Sequence, residues 1–249
     1  MKSPPPAKRL SLRVQPGTTV SALYRKAPNA SALLVLAHGA GAGMSHPFMA
    51  AMADLLAGAG VSTLRFQFPY MEAGSRRPDR PATAHAAVRA AVKRAAKLAP
   101  ALPLFAGGKS FGGRMTSQAQ ALEPLPHVRG LVFLGFPLHA PDKPSVERAA
   151  HLRDVHVPQL FIQGTRDALA EAGRLRGVVK RLGKRARLWP VKGADHSFGV
   201  LVRSGRTHEE VLREMADVVA AWIKAAWIKD GTSHPALHLL GRRQASVGR

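Results

Sequence analysis

The chain has 249 residues, no cysteine, and 37 Lys plus Arg against 15 Asp plus Glu, a formal charge of +22. Without cysteine, disulfide frameworks, zinc fingers, iron–sulfur centres and thiol nucleophiles are excluded. No apolar run is long enough to span a membrane, and no signal-like apolar stretch follows the basic start, so a soluble, cytoplasmic protein is expected.

Residues 1–9, with three prolines and three charges, predict a flexible arm. Thr19–Arg25 alternates like an exposed-edge strand, and Leu33–Leu36 is a short buried strand ending at His38-Gly39. A helix is predicted over Phe48–Ala57, stopped by Gly58 and Gly60, then a strand over Val61–Phe66. An alanine-rich helix, Ala82–Leu98, precedes a strand over Leu102–Ala106 that runs into Gly107-Gly108. Phe111–Leu122 is helical, and Leu131–Leu134 and Gln159–Ile162 are strands. A helix over Ala168–Leu182, a short strand over Arg187–Trp189 and a long helix over His208–Ile228 complete the series. In the last helix Val211, Met215, Val218, Trp222 and Ile223 share one face. This alternation predicts one α/β domain over 10–229, with a mostly parallel sheet covered on both faces. Residues 230–249 predict a basic flexible tail in which only weak packing of Leu237, Leu239 and Leu240 is expected. In sheets of this kind ligands bind at the carboxyl ends of the strands, and the chemistry-bearing motifs all lie there.

The sharpest motif is Gly108-Lys109-Ser110-Phe111-Gly112, of the form Gly-x-Ser-x-Gly, between a buried strand and a helix. A sharp turn there lifts Ser110 above the sheet, and its neighbours must lack Cβ to avoid clashes. The amide of Phe111 then faces a developing oxyanion from a helix N-terminus. A phosphate-binding loop fails on spacing, because its first glycine position is Pro103. Gln163-Gly164-Thr165-Arg166-Asp167 follows the next strand but one, and offers Asp167 to orient a histidine. Asp142 reads as a turn residue. Gly193-Ala194-Asp195-His196-Ser197-Phe198 offers His196 as general base; Asp195, its chain neighbour, is not assigned as the acid. The order Ser, Asp, His after successive sheet elements carries the assignment. His38-Gly39-Ala40-Gly41-Ala42-Gly43 offers the Ala40 amide as second oxyanion donor, ahead of Gly39, and lacks dinucleotide-loop spacing.

Together these motifs resemble the α/β-hydrolase superfamily. Arg65-Phe66-Gln67-Phe68-Pro69-Tyr70-Met71-Glu72, Arg76-Arg77-Pro78-Asp79, Gly107 to Met115 and Leu134-Gly135-Phe136-Pro137-Leu138-His139 resemble one branch of it. That branch holds dienelactone-hydrolase-like bacterial proteins, the testis-expressed protein thirty and the third regulatory subunit of the NSL histone-acetyltransferase complex. The resemblance implies the α/β-hydrolase fold, an eight-stranded, mostly parallel sheet with helices on both faces. It also implies a serine-hydrolase triad of Ser110, Asp167 and His196. It carries no defined substrate, and one member of the branch serves as a complex subunit.

The expected function is cleavage of a carboxylic ester or thioester of a small-molecule acyl substrate through an acyl-enzyme, with no cofactor and no metal. The segment 137–157 is too short for a lid domain, so an open site is expected. His38, Tyr70, Phe136 and His139 are candidate substrate-binding side chains, and Phe68 and Phe198 further candidate walls. Arg76, Arg77 and Arg114 are candidate attractors of an anionic substrate. A catalytically silent scaffold and a peptidase acting on short peptides are the alternatives. The charge alone suggests a nucleic-acid surface. Aromatics are only 6%, however, and no basic stretch is interleaved with stacking residues. The densest cluster, Arg174, Arg176, Lys180, Arg181, Lys184, Arg185 and Arg187, falls on a solvated helix and the linker after it. Salt-sensitive adhesion to polyanions is expected, a specific nucleic-acid site is not.

Overall fold

The computed structural model describes residues 6–229. The expected arm up to residue 5 and the basic tail from 230 lie outside the described residues. Eight strands form one sheet in the order β1-β2-β4-β3-β5-β6-β7-β8. These are β1 (Lys8–Gln15), β2 (Thr18–Arg25), β3 (Ala32–Ala37), β4 (Val61–Phe66), β5 (Leu104–Lys109), β6 (Val128–Leu134), β7 (Gln159–Gly164) and β8 (Ala186–Val191). The β1–β2 and β2–β4 pairings are antiparallel. From β4 through β3 to β8 every pairing is parallel.

The helices divide between the two faces because strand side chains alternate. On β3, Leu33, Val35 and Ala37 point to one face, where they join α3 (Pro81–Leu98), α4 (Phe111–Leu122) and α5 (Ala172–Leu182). Leu34 and Leu36 point to the other, against α1 (Pro47–Gly58) and α6 (His208–Lys229). In α3 the alanines 84, 87, 91 and 95 are fully buried with Val88 and Val92, so small side chains bring that helix close to the sheet. In α6 Val211, Met215, Val219 and Ile223 are buried, while Val218 and Trp222 pack from the flank. A fully buried Leu, Val or Phe side chain contributes roughly 1.5–3 kcal/mol. Among the described residues no helix is long and apolar enough to cross a membrane.

Three expectations are corrected. Lys8 and Arg9 belong to β1, where they pair with Tyr24 and Leu23. Only Leu12 is fully buried there, with Leu10 and Val14 half-buried, and Arg9, Ser11 and Arg13 alternate with them on the exposed face. The helix predicted from Ala168 starts at Ala172. The Asp167 carboxylate takes the Leu169 amide, and the Leu169 carbonyl accepts from Leu138, which holds 167–170 in a turn. Strand β5 runs through Gly107-Gly108 to Lys109, beyond the predicted end at Ala106. The segment 137–157 holds only a 3-10 helix, Glu147–Asp154, and no lid.

Candidate active site

Strand β5 delivers Ser110 to the sheet's carboxyl edge. Ser110 has φ 49° and ψ −112°, a conformation costing a non-glycine residue of order 1–3 kcal/mol. The surroundings enforce it. The Ser110 amide donates to Leu134 O at the end of β6, and the Ser110 carbonyl accepts the Arg114 amide of α4. The flanking glycines are steric necessities. A Cβ on Gly108 would lie 2.3 Å from Ala37 O, and one on Gly112 would lie 2.5 Å from His38 O. Helix α4 therefore presses directly against the end of β3. Its first amide, that of Phe111, has no intrahelical acceptor.

Strands β7 and β8 deliver the other two groups through a zipped pair of loops. Arg166 N–H donates to Ala194 O, and Gly193 N–H donates to the Thr165 hydroxyl. A Cβ on Gly164 would lie 2.4 Å from Ala194 O, so this closeness requires glycine. Asp195 folds the His196 loop on itself: its carboxylate accepts the amides of Ser197 and Gly199 at 2.8 and 2.9 Å. It is spent there and makes no bond to the His196 ring. Asp142 sits in a turn with φ 57°.

The three side chains meet. His196 Nε2 lies 2.9 Å from Ser110 Oγ, and His196 Nδ1 lies 2.7 Å from Asp167 Oδ2. The Asp167 side chain is fully buried, while His196 is 25% exposed at the cavity mouth. A carboxylate only accepts, so Nδ1 carries the proton and Nε2 is left to accept from the serine hydroxyl. Gln163 is a partner that sequence reasoning missed. Its Nε2 donates to Asp167 Oδ2 at 2.5 Å and its Oε1 accepts the Phe136 amide at 2.8 Å. The available signal was an amide residue at the end of an otherwise apolar strand.

A cavity of about 450 Å³ opens over Ser110 and His196. The 39–42 loop, with Ala40, forms one wall, and His46, Phe48, Met49, Lys109, Leu169 and Ser197 contribute to the rest. That volume suits a small ligand. None of the four expected substrate-binding side chains lines it. His38 is fully buried: its Nδ1–H donates to Gly39 O and its Nε2 accepts the Phe68 amide. Burial pushes its pKa down to about 4, so it is a neutral brace beneath the glycine loop. Tyr70 packs against His38, Phe68 and Phe111. Phe136 turns inward against Phe133 and Phe161. His139 donates to Ala140 O and to the Glu171 carboxylate, and the Ala140 bond, then Glu171, raises its pKa against the effect of burial. Of the further candidate walls, Phe68 and Phe198 are both fully buried.

A second Ser–His contact shows what the first adds. Ser117 Oγ lies 2.8 Å from His151 Nε2, but the Ser117 hydroxyl donates to Arg114 O within its own helix. The serine is fully buried and its proton is committed to a carbonyl. Among the described residues no three His, Asp or Glu side chains gather in a way that could hold a metal ion.

The chain belongs to the α/β-hydrolase domain family, whose sequence model matches residues 30–224. Its fold is similar to that of a dienelactone hydrolase from Anabaena variabilis, with TM-score 0.69 and 19% identity over 89% of this chain and 98% of that one. It is also similar to Est1E from Butyrivibrio proteoclasticus, with TM-score 0.66 and 17% identity over 90% of this chain and 100% of that one. A lidless α/β serine hydrolase from Xanthomonas campestris aligns with TM-score 0.63 and 18% identity, over 85% and 96% of the two chains.

Proposed function

We propose that the protein is a serine hydrolase that cleaves a carboxylic ester or thioester through an acyl-enzyme. The observation that carries this reading is the unbroken chain Ser110 Oγ, His196, Asp167, whose first two residues line a cavity. Ser110 Oγ attacks the acyl carbon as its proton passes to His196 Nε2, and Asp167 holds the resulting imidazolium. The amides of Phe111 and Ala40 receive the oxyanion. When the tetrahedral centre collapses, the bond to the leaving group breaks and His196 returns the proton to it. Water then attacks the acyl-enzyme by the same route: its proton passes to His196, the acyl–Ser110 bond breaks, His196 returns the proton to Ser110 Oγ, and the carboxylic acid leaves.

The absence of a lid between β6 and β7 favours short or exposed acyl groups. Est1E has been seen with ferulic acid bound, which makes small aromatic acyl esters a reasonable first panel. The test is p-nitrophenyl acetate hydrolysis. Ser110→Ala is expected to lower kcat by at least about 10³-fold with an unchanged melting temperature. Activity equal to wild type would mean that another group is the nucleophile.

A further inference from the structure

Lys109 is the unassigned residue of the elbow. Its chain neighbour is the strained Ser110; its own side chain borders the cavity beside Gly39 and reaches the His196 loop. Lys109 Nζ donates to the backbone carbonyl of His196 at 2.7 Å. It also lies 5.4 Å from the centre of the Phe198 ring. On its third side is Gly135, after β6. A Cβ there would lie 3.1 Å from Nζ, 3.4 Å from His196 O and 3.6 Å from His196 Cε1. Gly135 also has φ 70°, so a side chain there would be strained as well as crowded. One ammonium thus ties the end of β5 to the His196 loop, close beside Gly135.

We propose that Lys109 is a positioning residue: through the His196 carbonyl it holds the imidazole in line between Ser110 and Asp167. This rests on reading those three residues as the triad. Its energetics set it apart from an ordinary brace. Burial pushes the ammonium from 10.5 down to about 8, although Asp167 and Asp195 pull it back up. A buried charge of this kind opposes folding, so stability alone does not account for it.

The test compares wild type with Lys109→Met, an apolar near-isostere, and with Lys109→Gln, which is too short to reach. The first readout is the His196 Nδ1 proton, whose short bond to Asp167 gives a resonance far downfield of ordinary amides. The second is kinetics on p-nitrophenyl acetate. The proposal expects the resonance to broaden or vanish in both variants and kcat to fall 10- to 100-fold. KM should stay within twofold and the melting temperature should not fall. Wild-type resonance and kcat in either folded variant would overturn it, as would a kcat loss that tracks a collapse in melting temperature. If wild type turned over no ester, the hydrolase reading would fail, but the resonance comparison would still decide the role of Lys109.

Discussion

Asp167 is held from three sides, by His196, Gln163 and the Leu169 amide. Asp167→Asn puts a donor or a weak acceptor opposite Nδ1 and so loses control of the tautomer. We expect kcat to fall on the order of 10³–10⁴ with folding retained, measured on the same ester. Two buried basic groups give pH signatures of the same sign in different windows. His38 has its pKa lowered to about 4 in the fold, from 6.5. Between those values the unfolded chain binds the extra proton, so His38 removes stability as pH falls from 6.5 towards 4. Lys109 is lowered from 10.5 to about 8, facing Asp167, Asp195 and the His196 loop. Here too the unfolded chain binds more protons in the window, so stability rises with pH from about 8 to 10.5. At neutral pH the buried ammonium costs on the order of 3 kcal/mol. Thermal melts across pH should therefore show any advantage of Lys109→Met shrinking above pH 8; an advantage constant to pH 10.5 would contradict the assignment. The positions of Ser110, Asp167 and His196 are legible in the sequence because each follows a glycine-marked strand end. Pocket walls are not, because residue type does not say which way an aromatic turns. Phe136 faces inward, whereas Phe48 and Met49, unremarkable as helix residues, line the cavity.

Among the elements, the β5–α4 elbow is the most constrained junction. Gly108→Ala would drive a methyl group into Ala37 O and Gly112→Ala would drive one into His38 O. Backbone atoms on both sides leave little room to yield. Each substitution is expected to destabilise by more than about 2 kcal/mol, read as a lowered denaturation midpoint. Ala substitution at Gly58, where an added Cβ meets nothing within 4 Å, is the control. The parallel strands were readable as short apolar runs, and α6 by its helical period. Strand β1 alternates polar Arg9, Ser11 and Arg13 with apolar Leu10, Leu12 and Val14, so it was legible and was missed because of the prolines and charges just before it. The start of α5 was hidden because side-chain capture of one amide by Asp167 overrides helical propensity over 168–171.

For the whole molecule, the sheet is a frame that brings residues 110, 167 and 196 to one rim. The densest basic cluster, Arg174 to Arg187, lies on α5 and the run into β8, and none of its residues lines the cavity over Ser110. A larger cavity, about 810 Å³, opens between β8 and α6 beside Lys184, Arg185 and Arg187, but it holds no Ser–His pair. Association with polyanions should therefore fall steeply with salt, show no sequence preference and leave ester turnover unchanged, as heparin retention and a competition assay would report. The central claim concerns a single hydroxyl activated by its imidazole neighbour. Its most direct measurement is reaction with a fluorophosphonate, with the adduct located by peptide mass spectrometry. The account predicts one adduct, on Ser110, lost in His196→Ala. A folded protein that takes no adduct, or takes it on another serine, contradicts it.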